Sequence, residues 1–141
     1  MATETKRGTV EQIPTLLGPT ARVFLLLGFA VWFVATVVFR LAGQYLLDPT
    51  APLVIGVLYV AAVPAMVGLA LLLYRWRDVT GATRLQAAIA LVLPGMVLDA
   101  LATAWFETVF PNMVPGAAKY FGGMLLLAYA SVLLTGFVRR A

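Results

Sequence analysis

Four long apolar segments, separated by short polar stretches, dominate the hydrophobic pattern of this chain. They cover roughly residues 23–47, 53–74, 85–110 and 120–138. A helix of about 20 apolar residues crosses the ~30 Å hydrocarbon core of a bilayer, because each residue adds about 1.5 Å. Each segment is long enough, so the pattern predicts an all-α membrane protein with four transmembrane helices.

Proline residues and polar clusters separate the apolar segments. Asp48-Pro49 ends the first helix, and Pro52 opens the second, where the first turn tolerates proline. A polar loop at 75–83 follows the second helix, and Pro111 ends the third. These short connections predict a four-helix bundle made of two antiparallel hairpins.

The first 20 residues form a separate segment before the transmembrane domain at 21–141. Thr9-Val10-Glu11-Gln12 resembles a capping box, with Thr9 as the N-cap and Gln12 at the third helical position. We expect a cytoplasmic segment, either a short helix lying at the membrane interface or an unstructured tail. It lacks the basic and then apolar design of a signal peptide.

Composition and charge agree with membrane insertion. Hydrophobic residues make up 62% of the chain and charged residues 11%, too few to cover the surface of a soluble domain. Eight basic residues fall on one side of the predicted bundle and two, Arg40 and Lys119, on the other. The eight are Lys6, Arg7, Arg22, Arg75, Arg77, Arg84, Arg139 and Arg140. The positive-inside rule therefore predicts cytoplasmic termini in a bacterial or archaeal inner membrane.

The residue types that are absent narrow the chemistry. The chain has no Cys and no His, which excludes disulfides, thiol catalysis, His-ligated metals and His-based catalytic triads. It also lacks a glycine-rich phosphate loop and a dinucleotide fingerprint. We therefore predict a protein that is not an enzyme and that uses no cofactor and no metal. The +4 charge suits anionic lipid headgroups, and no basic stripe interleaved with aromatics indicates nucleic acid.

Polar residues recur at intervals of four inside two of the predicted helices, so each set lies on one helical face. The sets are Thr36, Arg40 and Gln44 in the first helix and Asp99, Thr103 and Glu107 in the third. A charged Asp near the bilayer centre costs about 2.5–3.5 kcal/mol on insertion scales, so Asp99 should face the bundle. We expect Arg40 to be its partner, with Glu107 competing for Arg40 and with hydrogen bonds available from Tyr59 and Tyr129. Without a cation nearby, Asp99 would stay protonated.

Two further features bear on Asp99. Pro94-Gly95 lies one turn before it, and Pro94 frees the backbone carbonyl of Ala90, which predicts a kink. The kink either opens a cavity beside Asp99, as broken helices do in transporters, or is a packing bend. The tryptophans, Trp32 among them, are assigned to the aromatic belt of the membrane interface.

Several short motifs resemble those of a bacterial family of small four-helix integral membrane proteins of unknown function. The motifs are Phe39-Arg40-Leu41 with Gln44 and Pro49, Leu93-Pro94-Gly95-Met96 with Asp99, Phe110-Pro111-Asn112, and Tyr120-Phe121-Gly122. The resemblance covers most of the chain after residue 22. It implies a four-helix fold and places Arg40 and Asp99 inside the motifs, but it supplies no activity.

Two functions fit these features. The first is a structural or accessory membrane protein that packs against itself, as a homo-oligomer, or against other subunits of a larger membrane complex. The alternative is a small proton- or cation-coupled transporter that uses Asp99. At the residue level, Asp99 is a relay group, a member of a structural ion pair, or a ligand for a lipid headgroup or small cation. Membrane lipid is the one partner common to both functions.

The charge bias yields a topology test. Single cysteines introduced at Thr80 and Thr50 should label from opposite sides of intact cells, because they lie in connections on opposite sides of the predicted bundle. The native chain has no Cys, so the labelling has no background. Labelling of Thr80→Cys by an impermeant reagent from outside the cell would contradict the predicted orientation.

Overall fold

The computed structural model describes residues 18–137, and its regular elements there are helices. They are α1 (Pro19–Leu46), α2 (Pro52–Trp76), α3 (Thr83–Ala104), the short α4 (Phe106–Val109), a single 3₁₀ turn (Pro115–Ala117) and α5 (Ala118–Thr135). Of the predicted N-terminal segment 1–20, residues 1–17 with the capping box at Thr9 and Gln12 lie outside the described residues, as do Arg139 and Arg140, whereas α1 begins at Pro19, within the predicted segment.

Four of these helices are long and apolar enough to cross a membrane. They are α1, α2, α3 and the continuous stretch Pro115–Thr135, with mean hydropathies of 2.3, 2.3, 1.9 and 1.5. Pro19 and Pro52 each open a helix in the first turn, where a missing N–H is tolerated. The prediction of an all-α protein with four membrane-spanning helices is confirmed.

The first hairpin is open, whereas the second is closed, and each helix of the first packs against one helix of the second. Helix α1 packs mainly on α3, α2 packs on α5, and α3 and α5 pack together, whereas α1 and α2 touch little. Both pairs between hairpins are parallel. Tyr59 and Tyr74 of α2, for example, each hydrogen-bond a partner 61 residues later, Tyr120 and Thr135 respectively. As a result, α3 and α5 form the centre, and α1 and α2 flank it.

Small residues allow α1 and α3 to approach closely. Helix α3 buries Ala87, Ala88 and Ala90 completely. A methyl group on Gly28 of α1 would lie 2.1 Å from the carbonyl oxygen of Leu91. Small side chains are the usual means by which helix backbones pack closely in lipid, where the hydrophobic effect does not drive helix association. The α1–α3 contact therefore depends on Gly28.

Two clusters of buried side chains occupy the two ends of the bundle. One lies near the loop between α2 and α3 and includes Phe24, Tyr74, Val79, Ala88 and Val132. The other lies at the opposite end and includes Phe39, Leu47, Phe106, Phe110 and Phe121. The middle of the bundle, between these clusters, holds the candidate site.

The third predicted helix is interrupted, although the sequence predicted one helix over 85–110. Helix α3 ends at Ala104, and Trp105 adopts φ −110° and ψ 43° before α4 begins. The break turns Phe106 and Phe110 inward against Phe121, with ring centroids 5.8 and 4.9 Å apart respectively. Aromatic burial of this kind offsets the lost helical hydrogen bonds, a tertiary effect that local hydropathy does not reveal.

The connection between α1 and α2 is a tight polar turn. The carboxylate of Asp48 accepts hydrogen bonds from the backbone N–H of Thr50 at 2.9 Å and from its hydroxyl at 2.7 Å. These bonds stabilise the ionised form and hold the pKa of Asp48 below its ordinary value. The turn joins two helices that diverge from each other.

The close contact of α1 with α3 predicts an asymmetry between two glycines. Gly28→Ala should lower the free energy of unfolding by about 1–3 kcal/mol, because the new methyl group overlaps the Leu91 backbone. Gly68→Ala in α2 is the control, since a methyl group there has open space, and it should be neutral or stabilise by up to about 1 kcal/mol. Unfolding in detergent measures both, and equal stability of the two variants would contradict the α1–α3 packing.

Candidate functional site

A single carboxyl group connects three of the four long helices. Asp99 of α3 is buried, with 6% of its surface exposed. Its Oδ1 accepts a hydrogen bond of 2.8 Å from Nε1 of Trp32 in α1. Its Oδ2 accepts a hydrogen bond from the hydroxyl of Tyr129 in α5. Both carboxyl oxygens are thus held by neutral donors from different helices.

Two glycines bring these donors to the carboxyl group. Gly28 allows α1 to approach α3, and Trp32 lies one turn further along α1. Gly95 lies one turn before Asp99, and a methyl group there would come within 2.7 Å of the Tyr129 hydroxyl oxygen. Helix α3 continues through Pro94 and Gly95. Gly95 therefore makes room for Tyr129, and the kink at Pro94 remains a prediction.

A cavity of about 220 Å³ adjoins Asp99. All four long helices line it, and most of the lining is apolar, including Leu58, Met66, Phe121 and Met124. Asp99 is the one formally charged residue among the lining residues, whereas Trp32, Thr36 and Tyr129 contribute the other polar groups. An apolar cavity with a few convergent polar groups is the usual form of a small-molecule site.

The cavity opens sideways between α1 and α2. Ala35 of α1 and Ala65 of α2 both line it, and both are exposed. Helices α1 and α2 make few contacts with each other, so side-chain packing does not close the space between them. Ala35 lies 11 residues before the end of α1, or roughly 16 Å along the axis. The opening therefore lies near the middle of the long helices, on the outer surface of the bundle.

Arg40 does not pair with either acid of the predicted network. Its Nη1 donates to the backbone carbonyl of Val109 at 2.6 Å, and the side chain is exposed. Among residues 18–137, it forms no ion pair with Asp99 or Glu107. The parallel register of α1 and α3 explains this, because Trp32 faces Asp99 and Arg40 lies about 12 Å further along α1. The expected Arg40–Asp99 pair was therefore wrong.

The other predicted network residues are divided between two places. Thr36 lines the cavity with Asp99. Gln44 lies at the end of the bundle, where its Oε1 accepts a 2.6 Å hydrogen bond from Nδ2 of Asn112. Thr103 is half-buried, and Glu107 is exposed in α4, beyond the break in α3. The two stripes therefore do not form one network, since Thr36 and Asp99 share the central cavity and Gln44 bonds Asn112 at one end of the bundle.

Trp32 is the site residue that the sequence analysis assigned wrongly. Its place nine residues inside the first apolar segment was the available signal, since belt tryptophans lie near helix ends. Tyr129 was one of several candidate donors, and nothing in the sequence distinguished it from Tyr59. Tyr59 instead donates to the carbonyl of Tyr120 at 2.6 Å.

The arrangement accommodates both protonation states of Asp99. Trp32 can only donate, so Oδ1 acts as an acceptor in either state. The Tyr129 hydroxyl donates to an ionised carboxylate and can accept from a protonated one, because a hydroxyl group does both. A proton gained at Asp99 therefore reverses the hydrogen bond with Tyr129, whose own hydroxyl hydrogen then points away from the carboxyl group.

These contacts predict which residues are energetically coupled. Arg40→Gln and Asp99→Asn should have additive effects on the free energy of unfolding, within about 0.5 kcal/mol, because the side chains do not touch. Tyr129→Phe and Asp99→Asn should be coupled by about 0.5–3 kcal/mol, because they share a hydrogen bond. Double-mutant cycles in detergent measure both couplings, and the reverse order of the two would contradict the site geometry.

Comparison with known proteins gives a family and no characterised relative. No curated protein and no solved structure gives a significant match to this chain. The model of a family of unknown function, DUF5367, matches residues 46–141. The matched region begins at the last residue of α1, so it contains Asp99 and Tyr129 but not Trp32. This chain, a small protein with four helices of membrane-spanning length, belongs to the DUF5367 family of unknown function.

Proposed function

We propose that this protein is a small proton- or cation-coupled transporter in which Asp99 carries the exchanged charge. The observation that supports it most strongly is the state of Asp99. It is buried at the edge of an apolar cavity, and its hydrogen-bond partners are two neutral side chains. The main argument for a purely structural role of Asp99 was an ion pair with Arg40. Arg40 instead donates to the carbonyl of Val109.

The electrostatics of the bundle favour exchange at Asp99. An ionised carboxylate in the hydrocarbon region is costly unless it is neutralised. The basic residues of α1, Arg22 and Arg40, lie ten and eight residues from Trp32, or about 15 and 12 Å along the axis. The charge is then balanced most directly by a proton or by a bound cation. Since both occupy the same carboxyl group, binding of one releases the other.

The packing is also suited to movement of the flanking helices. Transport requires the site to face the two sides of the membrane in turn, which in transporters involves rocking of one helical unit against another. Helix α1 packs on α3 and helix α2 packs on α5, whereas α1 and α2 make few contacts with each other. One flanking helix can therefore shift without breaking contacts to the other.

An accessory role remains the second candidate, and one observation favours it. The outer face of α2 carries a shallow apolar groove whose lining includes Pro52, Val57, Val60 and Ala61. Gly56 within this groove has open space above it. Such a surface allows close packing of another transmembrane helix, from a second copy or from another subunit. Association through α2 is also compatible with transport.

Proton movement in reconstituted vesicles tests the proposed function. Wild-type protein in vesicles loaded with a pH dye should release protons when a monovalent cation is added outside, across a panel of inorganic and organic chlorides. Asp99→Asn should abolish the signal, because asparagine keeps the shape but carries no exchangeable charge. Glu107→Gln removes an exposed acid outside the cavity and is the matched control, so it should retain the signal.

A stability measurement makes the result decisive. Unfolding curves of each variant in detergent establish that the bundle is intact before fluxes are compared. Wild-type protein that moves no protons with any cation of the panel, while Asp99→Asn loses stability or partner retention, would refute transport and support the accessory role.

A further inference from the structure

The geometry of the cavity points to a particular class of substrate, an inference that rests on the proposed function. We propose that the site binds the head of a cationic amphiphile, an ammonium group with apolar substituents. The molecule reaches Asp99 from the bilayer through the opening between α1 and α2. Its apolar tail stays in the lipid while its head occupies the cavity.

The lining selects an organic cation over an inorganic one. A hard metal cation needs several oxygen ligands around it. Apart from the carboxyl group of Asp99, the lining side chains offer the oxygen atoms of Thr36 and Tyr129, and the rest is carbon, one indole nitrogen and the sulfur of methionine. An alkylammonium group carries its own apolar shell and needs one counter-charge. Asp99 supplies that charge, and the apolar lining contacts the substituents.

Aromatic rings strengthen this preference. Trp32 and Tyr129 flank the Asp99 carboxyl group, and Phe39 and Phe121 also line the cavity. A quaternary ammonium group over an aromatic face gains about 0.5–2 kcal/mol from the ring quadrupole. A neutral molecule of the same shape lacks both this attraction and the charge pair with Asp99.

The size of the cavity sets the size of the head group. An apolar cavity of about 150 Å³ holds one benzene molecule. The present cavity, of about 220 Å³, therefore fits one ring with a small ammonium group beside it. A longer substituent does not fit and has to leave through the gap between Ala35 and Ala65. Both residues are exposed, and their small side chains are the reason for placing the alkyl chain there.

Protonation of Asp99 competes with the amphiphile. Among the described residues, the polar side chains that line the cavity with Asp99 are Trp32 and Thr36 of α1, neither of which titrates, and Tyr129 of α5. The residues of α2 that line the cavity are apolar. Of the described residues that line the cavity, Asp99 is therefore the group whose proton the cation displaces. Affinity should rise with pH until Asp99 is fully ionised, and it should be constant above that pH.

Binding of benzyldimethyloctylammonium to purified protein in zwitterionic micelles tests the charge requirement. Wild type should bind this cation about tenfold or more tightly than benzyl octyl ether, which has the ring and the chain without the charge. Calorimetry in weak buffer at acidic pH should also detect about one proton released per bound cation. Asp99→Asn should lose the preference and the proton release, and Glu107→Gln should keep both.

Rim variants in neutral phosphatidylcholine vesicles test the lateral route. Ala35→Phe and Ala65→Phe narrow the opening and should slow the proton release driven by this amphiphile by about tenfold or more. Ala30→Phe in α1 and Gly68→Phe in α2 add the same ring at exposed positions outside both the cavity lining and the α2 groove, so the rate should stay at the wild-type value. Benzyltrimethylammonium, with the same head but no tail, should act more weakly than the amphiphile.

The outcomes separate this inference from the proposed function. Proton release that depends on Asp99 and is driven by sodium or potassium, but not by the amphiphile, would overturn the substrate class and leave cation-coupled transport standing. Equal binding of the amphiphile and the ether would overturn the charge-based recognition. Equal slowing by the rim variants and their controls would overturn the lateral route. Absence of Asp99-dependent proton exchange with every cation would overturn both proposals.

Discussion

Hydrogen bonds to the Asp99 carboxyl group connect three helices of the bundle. It accepts one hydrogen bond from Trp32 of α1 and one from Tyr129 of α5, while its own backbone belongs to α3. In lipid there is no water to satisfy such groups, so a polar residue at this depth has to find its partners inside the protein. The two hydrogen bonds to Asp99 therefore fix the positions of α1 and α5 relative to α3, because breaking either one would leave a buried polar group unpaired.

Glycine positions make this contact possible. Gly28 lets the α1 backbone approach Leu91, and Gly95 leaves the space that the Tyr129 hydroxyl group occupies. A side chain at either position would separate a donor from the carboxyl group. The same close packing of α1 and α5 onto α3 leaves α2 attached mainly to α5, and a gap results between α1 and α2. The cavity and its lateral opening are consequences of this unequal packing.

Charged residues are distributed unevenly along the bundle axis. The described arginine residues and Lys119 lie near helix ends or in connections. Arg40 contacts a helix-end carbonyl, and Arg77, Arg84 and Lys119 lie over aromatic rings. The middle holds one acid and no basic residue among the cavity-lining side chains. A lone ionisable acid of this kind is suited to taking and releasing a proton or a cation. This is the physical link between the packing of the helices and the proposed function.

The sequence by itself determined the number of helices long and apolar enough to span a membrane, the all-α class and the orientation of Asp99 towards the bundle interior. Hydropathy and proline positions suffice for this, because insertion into lipid depends on local composition along the chain. It did not determine which residue contacts Asp99. Arg40, Tyr59 and Tyr129 lie on three other helices, and the periodicity of one helix does not show which of them lies beside Asp99. Only the tertiary structure decided this, through the parallel register of α1 with α3 and the room left at Gly95. Register between helices depends on side-chain packing across two surfaces, which periodicity along one helix does not encode.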